Sequence, residues 1–194
     1  EYYRIINETV TSRLGGLHSA DCLMYSVDFA EIDALQHTGD WNQLTQTMVA
    51  AAQRLEDGGA ECLVICTNTM HKMADEIQSS IRIPLLHIAD AAGAAIQAKG
   101  LTTVGLLGTR FTMEGDFYRA RLAQKFGLQV LIPEETDRET VHRVIYQELV
   151  NGEIREESRQ AFLNIINGLQ NQGAQGIILG CTEIPLLVRQ SDVP

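Results

Sequence analysis

The segment GAECLVICTNT (59–69) returns in outline as GAQGIILGCTE (173–183), and this near-repeat constrains the fold more than any other feature of the chain. Each copy opens with a Gly-Ala turn, runs through a short apolar stretch and ends in a small polar cluster. Aligned on Gly59 and Gly173, the copies set Thr67 opposite Cys181 and, upstream, Leu55 opposite Leu169, both in helix-like patterns. A helix, a turn, a strand and a polar loop thus occur twice. Such duplication implies two similar halves facing one site, each supplying one polar strand end.

The rest of the chain supports an α/β reading. Helical spacing of Tyr2, Ile5, Ile6, Val10 and Leu14 predicts a first helix closed by Gly15-Gly16. Residues 22–29 read as a strand, and residues 41–55 as an amphipathic helix capped by Asp40. Residues 62–66 read as a buried strand, 70–77 as a helix, 85–88 as a short strand and 89–98 as an alanine-rich helix. The second half repeats the alternation. It has strands at 104–107, 129–132 and 177–179, and helices running through Phe117 and Leu122, over 136–150 and over 157–169. Thr136 to Glu139 reads as a capping box opening the second of these. Strands alternating with helices predict a mainly parallel sheet, with ligands taken at the strand C-terminal ends. The break between halves falls near residues 89–100, giving a first domain over 1–94 and a second over 95–188, with 189–194 returning to the first.

Charge and cysteine usage exclude several functions. A formal net charge of −10 argues against a nucleic-acid partner, because phosphate binding needs a basic field. It also requires any anionic ligand to be held by a local pocket against the overall field. The sequence shows neither an apolar run long enough to span a membrane nor a basic-then-apolar leader. Four irregularly spaced cysteines, Cys22, Cys62, Cys66 and Cys181, fit reduced thiols in a cytoplasmic protein. Cys62 and Cys66 lie about 13 Å apart on an extended strand and cannot clamp one metal ion. Glycine-rich nucleotide motifs are absent from the sequence.

Three polar clusters follow apolar runs: Thr67-Asn68-Thr69, Gly108-Thr109 with Thr112, and Cys181-Thr182-Glu183. Each offers hydroxyls, amides and backbone N–H groups of the kind that bind carboxylates, although each alone also fits an ordinary helix cap. Cys181, at a strand-to-helix junction, is expected to have its thiol pKa lowered by the helix field and so to serve as base or nucleophile, the alternative being an inert buried thiol. Cys66 and Thr67, as strand neighbours, point opposite ways, and the repeat selects Thr67 for the site while Cys66 faces the core. His71 and His87, just beyond strand ends, are either proton relays or hydrogen-bonded rim residues. Arg110, Arg119 and Arg121 read as a solvated helix face.

The segments CTNTMH (66–71), LLGTRFTM (106–113) and GCTEIPLL (180–187) together resemble the aspartate/glutamate racemase superfamily, in its aspartate or broad-specificity amino-acid racemase branch. The resemblance covers most of the chain. It implies two α/β domains related by pseudo-two-fold symmetry, an active site in the cleft between them, a homodimer, and catalysis without pyridoxal phosphate or metal. Two cysteines flank the substrate α-carbon in that family. The second maps onto Cys181, and Glu183 resembles the aspartate-racemase branch. The first motif, Cys-Asn-Thr, departs here, because Asn68-Thr69 align and Thr67 stands where the cysteine belongs. The resemblance further implies that Asn68, Thr69, Thr109, Thr112 and Thr182 grip the α-carboxylate and amino group, and that Gln36 meets the distal carboxylate. It also implies a strand with a glycine-rich loop ahead of the first helix, and a final strand after Pro194.

The resulting expectation is a cofactor-independent racemase of aspartate or glutamate with an unbalanced Thr67/Cys181 pair. An unactivated hydroxyl is a far poorer base than a thiol. The rivals are a hydantoin racemase, maleate isomerase or decarboxylase of the same superfamily, and a non-catalytic dicarboxylate-binding protein.

Overall fold

The computed structural model describes residues 1–193, which divide into two units. The first comprises Glu1–Cys66 and Met73–Leu86, the second Thr67–Lys72 together with the chain from His87 onward.

The first unit is helical. Its elements are α1 (Tyr2–Leu14), α2 (Phe29–Thr38), α3 (Trp41–Asp57) and α4 (Ala74–Ser80). Asp28 caps α2 by accepting from the Ala30 N–H, and Asp40 caps α3 by accepting from the Gln43 N–H at 3.0 Å, as the sequence predicts for α3. Helix α3 turns Leu44, Ala51 and Ala52 inward and packs on α4, whose Ile77 is fully buried. Helix α1 forms over the predicted span, but none of its residues is buried.

Three predicted strands of the first half do not form as ladders. Residues 22–28 are irregular and run into the Asp28 cap, leaving Leu23, Met24, Tyr25 and Val27 exposed. Residues 62–66 and 85–88 meet in one parallel bridge, Leu63 with Leu85, closed by Leu63 N–H to Pro84 O at 2.9 Å and Leu86 N–H to Leu63 O at 2.8 Å. The alternation of the 62–66 stretch is nevertheless real, since Leu63 and Ile65 are buried while Val64 and Cys66 are exposed. An apolar run becomes a strand only where neighbours pair its backbone groups, and here a single bridge does so.

The second unit is a layered α/β body. In order it contains α5 (Ile88–Ala98), β1 (Thr103–Leu107), α6 (Arg110–Glu114), α7 (Asp116–Phe126), β2 (Gln129–Leu131), α8 (Glu135–Gln147), α9 (Glu156–Asn171), β3 (Ile177–Leu179) and α10 (Ile184–Leu187). The three strands are parallel in the order β2-β1-β3, with Thr103 opposite Gln129 and Gly105 opposite Ile177. Period-two alternation along β1 sends neighbouring leucines to opposite faces. Leu106 joins Ala89, Tyr118 and Leu122 of α5 and α7, while Leu107 joins the core built by Val141, Phe162, Ile166 and Ile184 of α8, α9 and α10. Two cores on two faces of one sheet are the expected outcome of alternating strands and helices.

Two local expectations are corrected. The helix expected to run through Phe117 and Leu122 breaks at Gly115 into α6 and α7. The Thr136 capping box does not form, because α8 begins at Glu135, with Glu134 rather than Thr136 in the N-cap position. Thr136 then lies in the first turn, with its carbonyl accepting from the Thr140 hydroxyl.

The repeat of residues 59–69 at 173–183 is reproduced in backbone detail at the two helix ends. After α3, Gly59 has φ 95° and the Ala60 N–H returns to Leu55 O; after α9, Gly173 has φ 104° and the Ala174 N–H returns to Leu169 O, each bond 3.0 Å. A positive φ at the residue closing a helix is where glycine is required. This common cap is why the Gly-Ala pair recurs.

Candidate functional site

The polar clusters of the second unit lie at the C-terminal ends of its parallel strands. Residue 108, after β1, and residue 180, after β3, are glycines because the two backbones nearly touch. A Cβ on Gly108 would stand 3.0 Å from Gly180 O, and one on Gly180 would stand 2.8 Å from Leu107 O. The Gly180 N–H donates to Leu107 O at 2.5 Å, so the two loops leave the sheet side by side.

Thr109 caps α6, and its hydroxyl meets two others. Oγ1 of Thr69 lies 3.2 Å from Oγ1 of Thr109 and 3.1 Å from Oγ1 of Thr112, and the Thr109 and Thr112 hydroxyls are 3.3 Å apart. All three residues are buried, as is Asn68. The closed triangle of hydroxyls joins Thr69 to two residues 40 and 43 positions further along the chain. Each O–H can donate once, so the three can satisfy one another or turn three donors toward an anion.

Beside it, the Cys181 thiol donates to Glu183 Oε2 at 2.9 Å, and the Thr182 hydroxyl donates to the same oxygen at 2.9 Å. This reverses the expected sign of the Cys181 pKa. Burial, and next the Glu183 carboxylate accepting its hydrogen bond, push the thiol up to about 12. The expected helix field is weak because α10 is a single four-residue turn that begins only after Glu183. The sequence places Glu183 in a polar cluster and as a mark of the aspartate-racemase branch, but does not assign it as the partner of the thiol. A carboxylate two positions after a candidate catalytic thiol was the available signal.

The remaining site residues lie as follows. Thr67 is exposed, and its carbonyl accepts from His71 Nδ1 at 2.8 Å. Gln36 is buried on α2 of the first unit. Cys66 does not face a core but is exposed, as are Cys22 and Cys62. Arg121 is not merely solvated, since it forms a two-pronged pair with Asp90 at 2.6 and 2.9 Å, joined by Lys125 Nζ at 2.5 Å. Among the described residues no group of three or more His, Cys, Asp or Glu side chains is placed to hold a metal, and no helix is long and apolar enough to cross a membrane.

A parallel sheet between helices, with hydroxyls, a thiol and a carboxylate gathered near its strand ends, defines an α/β protein with a candidate polar site. The sequence model of the Asp/Glu/hydantoin racemase family matches residues 1–193, and the chain belongs to that family. Its fold is similar to that of a Yersinia pestis protein named as a candidate Asp/Glu racemase, with 54% identity and a TM-score of 0.91 over 99% of this chain and 84% of that one. It is also similar to an aspartate racemase homologue from Pyrococcus horikoshii, with 31% identity and a TM-score of 0.80 over the same shares of the two chains. The broad-specificity amino-acid racemase RacX of Bacillus subtilis is 24% identical over 164 residues, which cover 80% of this chain and 67% of RacX. Family and fold are those of racemases, enzymes of the isomerase class.

Proposed function

We propose that the chain is a cofactor-independent racemase of aspartate or glutamate in which Cys181 works on one face of the α-carbon and Thr67 on the other. The observation that carries this reading is the hydrogen bond from the Cys181 thiol to Glu183. A thiol held neutral beside a carboxylate is a base in waiting. When substrate excludes water, the S–H proton passes to Glu183, and the thiolate then takes the α-proton. The carbanion is reprotonated on its opposite face by a water bound through the Thr67 hydroxyl, and the hydroxide left behind is neutralised by the proton that Glu183 releases. The substrate α-carboxylate and amino group are assigned to Asn68, Thr69, Thr109, Thr112 and Thr182, and the distal carboxylate to Gln36. The hydroxyl triangle supports the first assignment.

Because Thr67 is no match for a thiol, the two directions differ at saturation. Enantiomers have equal free energy, so kcat/KM is the same from either side, and the asymmetry appears as kcat and KM differing by the same factor. Proton NMR of α-proton exchange in D2O, run from L- and D-enantiomers, tests this. Exchange is expected to have a higher kcat from one enantiomer than from the other, to be lost in Cys181→Ser and to be balanced in Thr67→Cys. Equal kcat in both directions for the wild type refutes the unbalanced pair. The division into domains 1–94 and 95–188 under pseudo-two-fold symmetry belongs to the same proposal and is supported by the matching caps at Gly59 and Gly173; the homodimer and the cytoplasmic location belong to it on the family resemblance and the cysteine usage.

A second reading, a non-catalytic dicarboxylate-binding protein, is favoured by the raised pKa of Cys181. Binding of L-aspartate without α-proton exchange selects it.

A further inference from the structure

His71 lies in the 3₁₀ turn Thr69–Met73, immediately after the 67–69 strip, and is 2% exposed. Its two ring nitrogens face two backbone groups. Nδ1 is 2.8 Å from Thr67 O, and Nε2 is 3.1 Å from the Ile88 N–H at the start of α5. A carbonyl only accepts and an amide N–H only donates, so both nitrogens are assigned: the proton sits on Nδ1 and Nε2 is bare. The ring of His87 stands 4.4 Å away, with its own Nδ1 accepting from the Ala89 N–H.

We propose that His71 is a positioning residue, a neutral Nδ1–H imidazole that ties the Thr67 carbonyl to the first turn of α5 and so holds the 67–69 strip in its ligand-binding conformation. The proposal rests on the assignment of Thr67 and Thr69 to the site. Only one protonation state does this work. A proton on Nε2 would set two donors against each other at Ile88 and break the tie from one end.

The surroundings favour the neutral ring. His87 stands before α5, Asp90 lies on α5, Arg121 and Lys125 lie on α7, and Lys72 follows His71 in its own turn. Burial foremost, with the Arg121 charge in the same direction, lowers the His71 pKa below the ordinary histidine value. Hydrogen bonds to the Thr67 and Asn68 carbonyls and the Asp90 charge oppose this without reversing it. The clamp therefore holds at neutral pH and opens in acid.

Long-range proton–nitrogen NMR of the ¹⁵N-labelled full chain reads the tautomer directly, with His71→Asn used for assignment. The expected result is an Nδ1–H ring at neutral pH that gains its second proton below the ordinary value of about 6.5. An Nε2–H tautomer, or titration at the ordinary value, overturns the inference. The second measurement is the pH dependence of α-proton exchange. His71→Asn keeps a donor toward Thr67 but loses the acceptor for Ile88, and kcat is expected to fall about tenfold with displacement of the strip. The acid limb of the wild type is expected to move to lower pH in this variant, leaving only the part that Glu183 imposes. An unchanged acid limb refutes positioning. If the wild type exchanges no α-proton, the racemase reading fails separately. Calorimetric affinity for L-aspartate against pH then supplies the readout, the clamp standing only if His71→Asn moves its acid limb to lower pH.

Discussion

Glu183→Gln is expected to move two observables in opposite directions. Cys181 is pushed up to about 12 by burial and by the adjacent carboxylate. At pH 8 a pKa of about 12 leaves about one Cys181 in ten thousand as thiolate, about three orders of magnitude fewer than for a free cysteine. Alkylation, which proceeds through the thiolate, should be slower by a similar factor. The amide that Glu183→Gln introduces removes the negative charge and the anionic acceptor at 2.9 Å, while burial remains. The thiol pKa should then fall by about one unit or more, accelerating alkylation about tenfold. Racemisation should instead drop by about 10²- to 10⁴-fold, the usual contribution of a general acid–base group, because the variant has lost the acceptor for the thiol proton. The assay is iodoacetamide labelling across pH 7–10 in a Cys22→Ser, Cys62→Ser, Cys66→Ser background, where Cys181 is the remaining cysteine, alongside exchange of L-aspartate in D2O. Titration of Cys181 near the free value, or slower alkylation in Glu183→Gln, refutes the account of this pair.

His87 is pushed down to about 4 from 6.5, chiefly by burial and then by the His71 and Arg121 charges. Its neutral form contributes stability that is complete above pH 6.5 and is lost as pH falls toward 4, by up to about 3 kcal/mol at about 1.4 kcal/mol per unit. Urea unfolding at pH 7 and pH 4.5 checks this, and His87→Asn should flatten the difference. Two glycines should answer an added methyl with opposite signs. Gly180→Ala sets a Cβ 2.8 Å from Leu107 O and should destabilise by about 1–3 kcal/mol, whereas Gly168→Ala within α9 meets nothing within 4 Å and should stabilise by about 0.5–1 kcal/mol in thermal melts.

The sequence was most informative where local pattern and available partners agreed. The apolar runs at 104–107, 129–132 and 177–179 became a parallel sheet because each lies beside another. Residues 22–28, also strand-like in pattern, remained irregular because periodicity reports which face is apolar and not whether a backbone neighbour exists. The three polar clusters were legible because glycine, threonine and cysteine mark strand ends, and two of them do meet across Gly108 and Gly180. The sign of the Cys181 shift was hidden. It depends on the direction of the Glu183 carboxylate and on α10 lasting a single turn, and spacing encodes neither. The tautomer of His71 was hidden too, since its partners are backbone groups 4 and 17 residues away.

The three hydroxyls of Thr69, Thr109 and Thr112 are partners for one another before they are partners for anything else. A carboxylate that binds there competes with neutral hydrogen bonds inside the protein, so the hydroxyls must rotate before they can serve it. Three rotations exchange neutral partners for an ionic one, and an ester or amide of the same outline gains far less from that exchange. If a carboxylate is held there as proposed, the triangle would act as a filter for charge rather than shape, discriminating by how strongly a visitor can persuade three hydroxyls to let go of one another.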